Sequence, residues 1–363
     1  MLEFETVPAS RRPAAERAAL LGDPGFGRVF TDHMVTIRYA DTKGWYDARL
    51  GPFGPLALSP ATAALHYGQE IFEGLKAYAT PDGGVALFRP EANARRLNAT
   101  ARRMAMPELP EELFLRAVWA LVEADRDWVP AREGQSLYLR PFMIATDPFL
   151  GVRPSAEYLF AVIASPAGSY FAGGAKPVTV WVSQDYSRAA PGGTGAAKTA
   201  ANYAASLLAQ AQAQAAGCDQ VVFLDAVERR WIEESGSMNL FFVYDAEDGT
   251  PLLVTPPLNG SILPGVTRDS VLRLAAHLGH RIEERPYSLA QWRADAASGA
   301  LRETFACGTG VVITSIGKAR GNDGEFTIGT GAEGPVTTQI RTAIVDIQRG
   351  LAEDPFGWSH RMP

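Results

Sequence analysis

A lysine in a glycine-rich run is the first residue whose surroundings read as chemistry. Lys198 ends the segment PGGTGAAK and precedes an Ala-rich stretch. The run nearly spells a phosphate-binding loop. That loop needs Gly directly before the lysine, so that the backbone can wrap a triphosphate; position 197 is Ala. A lysine is also a poor plain helix start, because the helix dipole is positive at that end. The same dipole favours the neutral amine, the form that Schiff-base chemistry needs. Two neighbouring acids, Glu233 and Glu234 in IEESGSMN, are candidate functional carboxylates. On an extended segment they point opposite ways, and their chemistry alone does not choose between them.

An anion site is also legible. Pro264-Gly265-Val266-Thr267 opens a helix, and helix N-termini offer free N–H groups to phosphate. Gly265 permits close approach and Thr267 adds a hydroxyl; a simple capped helix would look the same. Elsewhere in the chain, Tyr138 and Arg140 share one face of a strand, with Leu137 and Leu139 on the other. An arginine among apolar strand residues is costly unless paired. A carboxylate held at two points would satisfy it.

The elements that must carry these residues fall into two groups. In the first half, Val29 to Tyr39 reads as a strand, and Pro81-Asp82-Gly83-Gly84 as a hairpin turn between Leu75–Tyr78 and Val85–Phe88. A helix starts at Pro90. A second, EELFLRAVWALVEADRDW, sets Leu113, Phe114, Ala117, Val118, Leu121 and Val122 on one face. Arg95, Arg96, Arg102 and Arg103 read as a solvated helix face. Strands SLYLRPFMIAT and EYLFAVIAS follow. The second half offers strand VTVWVS, a helix from Thr199 to Ala216 stopped by Gly217, and strands at Gln220–Asp225 and Met238–Tyr244. A helix follows the LPGVTR loop. TFACGTGVVITSI reads as a strand broken by a turn, and the last helix packs Ile340, Ile344 and Ile347. The expected organisation is an N-terminal arm at 1–28, read as flexible, and a small α+β domain at 29–168. A linker at 169–177 and a large cofactor-binding domain at 178–363 complete it.

Composition narrows the function. The 363 residues carry 34 basic and 40 acidic side chains, which is not the footprint of a nucleic-acid binder. Two distant cysteines, Cys218 and Cys307, form neither a disulfide framework nor a zinc pattern, so no metal is expected, and they suit a reducing, cytoplasmic setting. The longest apolar stretch, Tyr158 to Ala164, is too short to span a bilayer.

GGTGAAKTAANYAAS resembles the cofactor-lysine segment of the branched-chain amino acid aminotransferases. These are pyridoxal-phosphate enzymes of fold type IV, the D-amino acid aminotransferase-like class. The likeness continues through FTDHM, LHYGQEIFEGLKAY, FRPEANARRL, LYLRPFMIATDPFLGV, SYFAGG, GCDQVVFLD, IEESGSMNLFF, TPPLNGSILPGVTRDSV and ACGTG, in order and nearly end to end. It implies a two-domain α+β and α/β fold, pyridoxal 5'-phosphate as cofactor, and Lys198 as the lysine that carries it. It implies Glu234 at the pyridine nitrogen and Tyr203 at the ring oxygen. It implies Arg96, rather than its neighbour Arg95, with Gly265, Val266, Thr267 and Thr309 at the phosphate. Tyr67, Phe72, Tyr138, Arg140 and Tyr170 resemble the substrate pocket, with Thr309 and Gly310 donating to the α-carboxylate. The implied reaction is reversible transfer of the amino group between leucine, isoleucine or valine and 2-oxoglutarate. A homodimer is implied, with Tyr67, Leu150 and Val152 near the neighbouring subunit's site. Vertebrate members carry a CxxC pair where this chain has Val311 and Thr314, so thiol regulation there is not expected. The same-fold rivals, D-amino acid aminotransferase and aminodeoxychorismate lyase, should lack FTDHM and the GxxLPGVTR context. A cofactor-binding protein without activity is disfavoured by the joint presence of Lys198, Glu234 and Tyr203.

Overall fold

A computed structural model describes residues 2–168 and 176–362. Two compact units emerge. One comprises Met1–Ala172, Ala197–Ala200 and Asp346–Pro363, the other Gly173–Ala196 and Ala201–Val345.

The first unit is built on a mainly antiparallel sheet. Across it run Glu5–Thr6, Gly44–Pro52, His33–Ala40, Glu157–Ala167, Ser136–Ala145, Leu75–Ala79, Val85–Phe88 and Ser359–Arg361, and Glu70–Phe72 pairs with Ser136–Ala145 off that path. The hairpin forms as its turn residues predict, with Ala77 opposite Leu87 and Ala79 opposite Val85. Helices Pro90–Arg103 and Glu111–Ala124 cover one face. The second helix buries the six residues that its periodicity selects, Leu113, Phe114, Ala117, Val118, Leu121 and Val122. Leu75, Ala77, Leu137 and Leu139 meet them in the core, which leaves Tyr138 and Arg140 on the opposite face of the sheet.

Two readings are corrected here. The N-terminal arm is bound, not flexible: Glu5–Thr6 pairs with Gly44–Pro52, residues Ala14–Gly22 are helical, and Arg12 Nη1 donates to the Phe30 carbonyl at 3.1 Å. The arginine cluster is not uniformly solvated. Arg95 is exposed, but only 9% of the Arg96 side chain reaches solvent.

In the second unit, strands Ile232–Ser235, Gln220–Leu224, Val178–Ser183, Val312–Gly321, Glu303–Gly308 and Met238–Asp245 pair in succession. Ile232–Ser235 also pairs with Met238–Asp245, so these six close into a small barrel. Pro251–Thr255 and Arg281–Glu284 extend it. The strand broken by a turn appears as Glu303–Gly308 and Val312–Gly321, with Gly308 opposite Val312. Helix Pro335–Arg349 buries Ile340, Ile344 and Ile347. Glu303 fixes its start by accepting from the Val336 and Thr337 N–H groups at 3.0 and 2.8 Å. Among the described residues no helix is long and apolar enough to cross a membrane.

Phe114 is fully buried and packs against Phe160, with ring centroids 6.1 Å apart. Phe114→Ala should therefore cost about 3–5 kcal/mol in denaturant unfolding. A loss below about 1 kcal/mol would mean that the ring is not part of a close-packed core.

Candidate active site

In the first unit, Lys198 lies just before helix Ala200–Ala215, held at both ends of its own peptide. Its N–H donates to Thr100 Oγ1 at 3.1 Å, and its carbonyl accepts from the Phe72 N–H at 3.0 Å. Thr199 forms a bridge with Ile71, and its hydroxyl donates to the Glu70 carbonyl at 2.8 Å. The lysine backbone thus docks on strand Glu70–Phe72. Its Nζ stands 4.8 Å from the centre of the Phe72 ring. Burial, then the Arg96 charge, bring the amine down to about 8; Glu73 and Tyr138 act upward, and Arg140 downward.

The pocket-lining expectations gather around the same ring. The Arg140 guanidinium lies 4.7 Å from the Phe72 centroid and 5.4 Å from that of Tyr138, and its Nη2 donates to the Tyr138 hydroxyl at 3.2 Å. Arg140 Nε is buried without a hydrogen-bond partner among the described residues. Gly74 leaves room for the Tyr138 hydroxyl, which a Cβ there would strike. Tyr67 stands apart from this group at the surface, its hydroxyl donating to the Leu150 carbonyl. Tyr170 lies outside the described residues.

Arg96 faces a residue that the sequence reading missed. Its Nε and Nη2 each donate to the Glu73 carboxylate at 2.8 Å, and Glu73 is fully buried. The signal was present: an acid between Phe72 and Gly74 in an otherwise apolar stretch must find a partner. Arg95, by contrast, is exposed and 3.7 Å from Glu111.

In the second unit, the two neighbouring acids have different fates. Glu234 is buried, and its Oε1 lies 3.0 Å from Arg188 Nη1 while also accepting the Leu263 N–H. Glu233 is buried too, but its polar contact is Asn259 Nδ2 at 3.3 Å, and Oε2 has no partner among the described residues. Burial pushes its pKa up. Arg188 also donates to the Ser261 carbonyl at 2.9 Å and the Gly195 carbonyl at 3.3 Å. It sits in the aperiodic segment SQDYSRAAP, where nothing in the sequence marked it.

The loop at 259–263, whose Ser261 carbonyl Arg188 grips, leads into the expected anion site. Ala196 N–H donates to the Gly260 carbonyl at 3.0 Å, and Gly195 approaches Ser261 so closely that a Cβ would overlap its backbone. Asn239, paired with Glu234 on the adjacent strand, donates from Nδ2 to the Leu263 carbonyl at 3.0 Å. Gly265 is the N-cap of helix Val266–His277, and a Cβ there would collide with Asn239. Val266 and the buried Thr267 open that helix. Thr309 and Gly310 form the turn between Glu303–Gly308 and Val312–Gly321. Tyr203 lies on the first turn of helix Ala200–Ala215.

The first unit thus holds a buried amine of depressed proton affinity among arginines, and the second a buried glutamate braced by an arginine. A family model described as amino-transferase class IV matches residues 70–319. The chain belongs to the class IV aminotransferases. It is 58% identical to the probable branched-chain-amino-acid aminotransferase of Streptomyces coelicolor, over 96% of this chain and 95% of that one. It is 56% identical to the branched-chain-amino-acid aminotransferase of Mycolicibacterium smegmatis, over 99% and 98%. Among solved structures it is similar to the branched-chain amino acid aminotransferase from Escherichia coli, at 28% identity and TM-score 0.72, covering 91% of this chain and 98% of that one. The resemblance read from the sequence is borne out, and with it the fold class and the transaminase activity.

Two measurements on this class IV aminotransferase follow. In the cofactor-free protein, Lys198 should hold its proton below pH about 8 and release it above. Its modification by an amine reagent, followed by mass spectrometry, should rise with a midpoint near that pH; a midpoint near the ordinary lysine value would refute the enclosure. Arg188→Ala should destabilise the fold by about 3–5 kcal/mol, because Glu234 is left as an uncompensated buried charge. An unchanged unfolding midpoint would show that the pair carries no such weight.

Proposed function

We propose that this class IV aminotransferase is a branched-chain amino acid aminotransferase that uses pyridoxal 5'-phosphate. It exchanges the amino group of leucine, isoleucine or valine with 2-oxoglutarate. The observation that carries the cofactor reading is the Lys198 amine, with its pKa near 8 amid Arg96, Arg140 and Glu73. Two guanidiniums against one carboxylate leave an excess of positive charge that suits an anionic group. Gly265, packed against the Asn239 side chain, caps a helix whose N-terminal N–H groups suit a phosphate. The substrate class rests on the names of the relatives and on the aromatic and cationic groups around Phe72.

Residue by residue, Lys198 carries the cofactor. Arg96, Gly265, Val266, Thr267 and Thr309 would hold its phosphate, Glu234 would face the pyridine nitrogen, and Tyr203 would donate to the ring oxygen. Bound pyridoxal phosphate supplies a ring that takes up the electron pair left on the substrate α-carbon. The protein does the rest. Freed when the substrate amine takes its place, Lys198 Nζ, its pKa brought down to about 8, would take the proton from the substrate α-carbon and hand it on. Arg188 holds the Glu234 carboxyl in place at 3.0 Å, where it would face the ring nitrogen. Thr309 and Gly310 orient the α-carboxylate.

Phe72 and Tyr138 wall the side-chain pocket, to which the reading adds Tyr170 and, from the neighbouring copy, Tyr67. Arg140, with its buried Nε lacking a partner among the described residues, receives the second carboxylate of glutamate or 2-oxoglutarate. An aromatic wall carrying one arginine thus serves both an apolar and an anionic side chain.

We infer a homodimer, because Tyr67, Leu150 and Val152 gather exposed apolar surface, with Val152 90% accessible. We infer a cytoplasmic setting, because Cys218 and Cys307 are both free thiols. The test is spectroscopic. Protein carrying pyridoxal phosphate should show the visible band of lysine-bound cofactor, which L-leucine bleaches and 2-oxoglutarate restores. Bleaching by D-amino acids alone would defeat the reading. Lys198→Ala should lose the band and turnover; retained turnover would remove the lysine from its role.

A further inference from the structure

Glu73 is a site-adjacent charge to which the proposed function gives no task. It lies between strands Glu70–Phe72 and Leu75–Ala79, fully buried. Its carboxylate is clamped from one face of helix Pro90–Arg103. Arg96 donates from Nε to Oε1 and from Nη2 to Oε2, each at 2.8 Å, and Asn93 donates from Nδ2 to Oε2 at 2.8 Å. Asn93 and Arg96 are three residues apart and so meet the same partner. The Gly74 N–H adds a fourth contact at 3.2 Å. The next residue back, Phe72, is hydrogen-bonded to the Lys198 carbonyl and lies under its amine.

Such a clamp is costly to bury. Its effect is on charge. Among the groups that act on the Lys198 amine are Arg96 from the helix, Tyr138 and Arg140 from strand Ser136–Ala145, and Glu73. Two of these are cations, and both drive the proton off. Burial alone would make Glu73 a neutral acid, but Arg96, with Lys198 and Asn93, holds its carboxyl below the ordinary value, so it stays an anion.

We propose that Glu73 is a positioning residue for Lys198, its carboxylate locking the Arg96 guanidinium in place and offsetting the positive charge that Arg96 brings to the amine. The proposal rests on the reading of Lys198 as the reacting amine. An amine that must take a proton and give it up again is useless if neighbouring cations keep it permanently bare. Glu73 keeps Arg96 available as an anion receptor without that penalty.

The test is the titration of Lys198 in the full-length protein freed of cofactor, read by trace acetylation with acetic anhydride and mass spectrometry. Glu73→Gln keeps the shape and removes the charge. The midpoint should fall by roughly one pH unit below the wild-type value. The sign separates the proposal from a merely structural role. A loosened site admits water and moves the midpoint up, and either a rise or no change overturns the proposal. If Glu73→Gln does not fold, the comparison moves to the double variant Glu73→Gln/Arg96→Gln against the wild type. With both opposed charges gone, the Lys198 midpoint should stay within about half a pH unit of the wild-type value, and a larger rise or fall overturns the proposal. Because the readout is a free amine, failure of the leucine and 2-oxoglutarate assay would defeat the proposed function and leave this titration to be decided by itself.

Discussion

The backbone of Lys198 is fixed by two hydrogen bonds, from its N–H to Thr100 and to its carbonyl from Phe72, and the chemistry of the first unit depends on them. A free lysine side chain samples many rotamers, at a cost of about 2 kcal/mol when it is ordered. Anchoring the main chain reduces the question of where the amine goes to the reach of a four-carbon stem. Strand Glu70–Phe72 receives the lysine on one side and pairs with Ser136–Ala145 on the other. That second strand carries Tyr138 and Arg140. One short strand therefore sets the lysine, its aromatic neighbour and the pocket arginine in a common frame. Glu73, at the end of the same segment, adds the charge that balances them.

Both units solve the same electrostatic problem. A buried carboxylate costs several kcal/mol unless a cation and further donors meet it. Glu73 has Arg96 and Asn93, and Glu234 has Arg188 and the Leu263 N–H. Pairs of this kind contribute little net stability against an apolar replacement. They do hold atoms at fixed places, since moving either partner exposes the other as an unpaired charge. Arg188 extends the effect to main chain, gripping the Gly195 and Ser261 carbonyls that bring the glycine-rich run against the 259–263 loop. The glycines of that run serve close packing of one loop on another, and Gly195 has no room for a side chain.

Much of this was legible where local physics decides. Helix Glu111–Ala124 buries the residues its period selects, because one stripe faces a sheet. The alternation of Leu137, Tyr138, Leu139 and Arg140 holds because only one face of their strand meets the two helices. The hairpin follows from its turn residues. Strand Gly44–Pro52, with a polar and irregular pattern, gave no such signal; it is a strand because His33–Ala40 pairs with it. The arm before it carries no periodicity strong enough to announce that it would dock. Long-range pairing is a property of two segments, and neither states it alone.

The site residues divide along the same line. Glu233 and Glu234 are chemically identical, and the strand they occupy sends them to opposite faces. Period two therefore required that their environments diverge, and they do. One carboxylate meets Arg188; the other meets an amide, with one oxygen lacking a partner among the described residues and its proton affinity raised. Which face holds the arginine is set by a loop distant in sequence, so chemistry alone left the choice open. Arg95 and Arg96 repeat the case on a helix. A step of one residue turns the side chain by roughly a quarter of a turn. That step takes it from an exposed contact with Glu111 to the buried carboxylate of Glu73. The identity of a functional residue among equivalent neighbours is thus decided by the counter-charge across the fold.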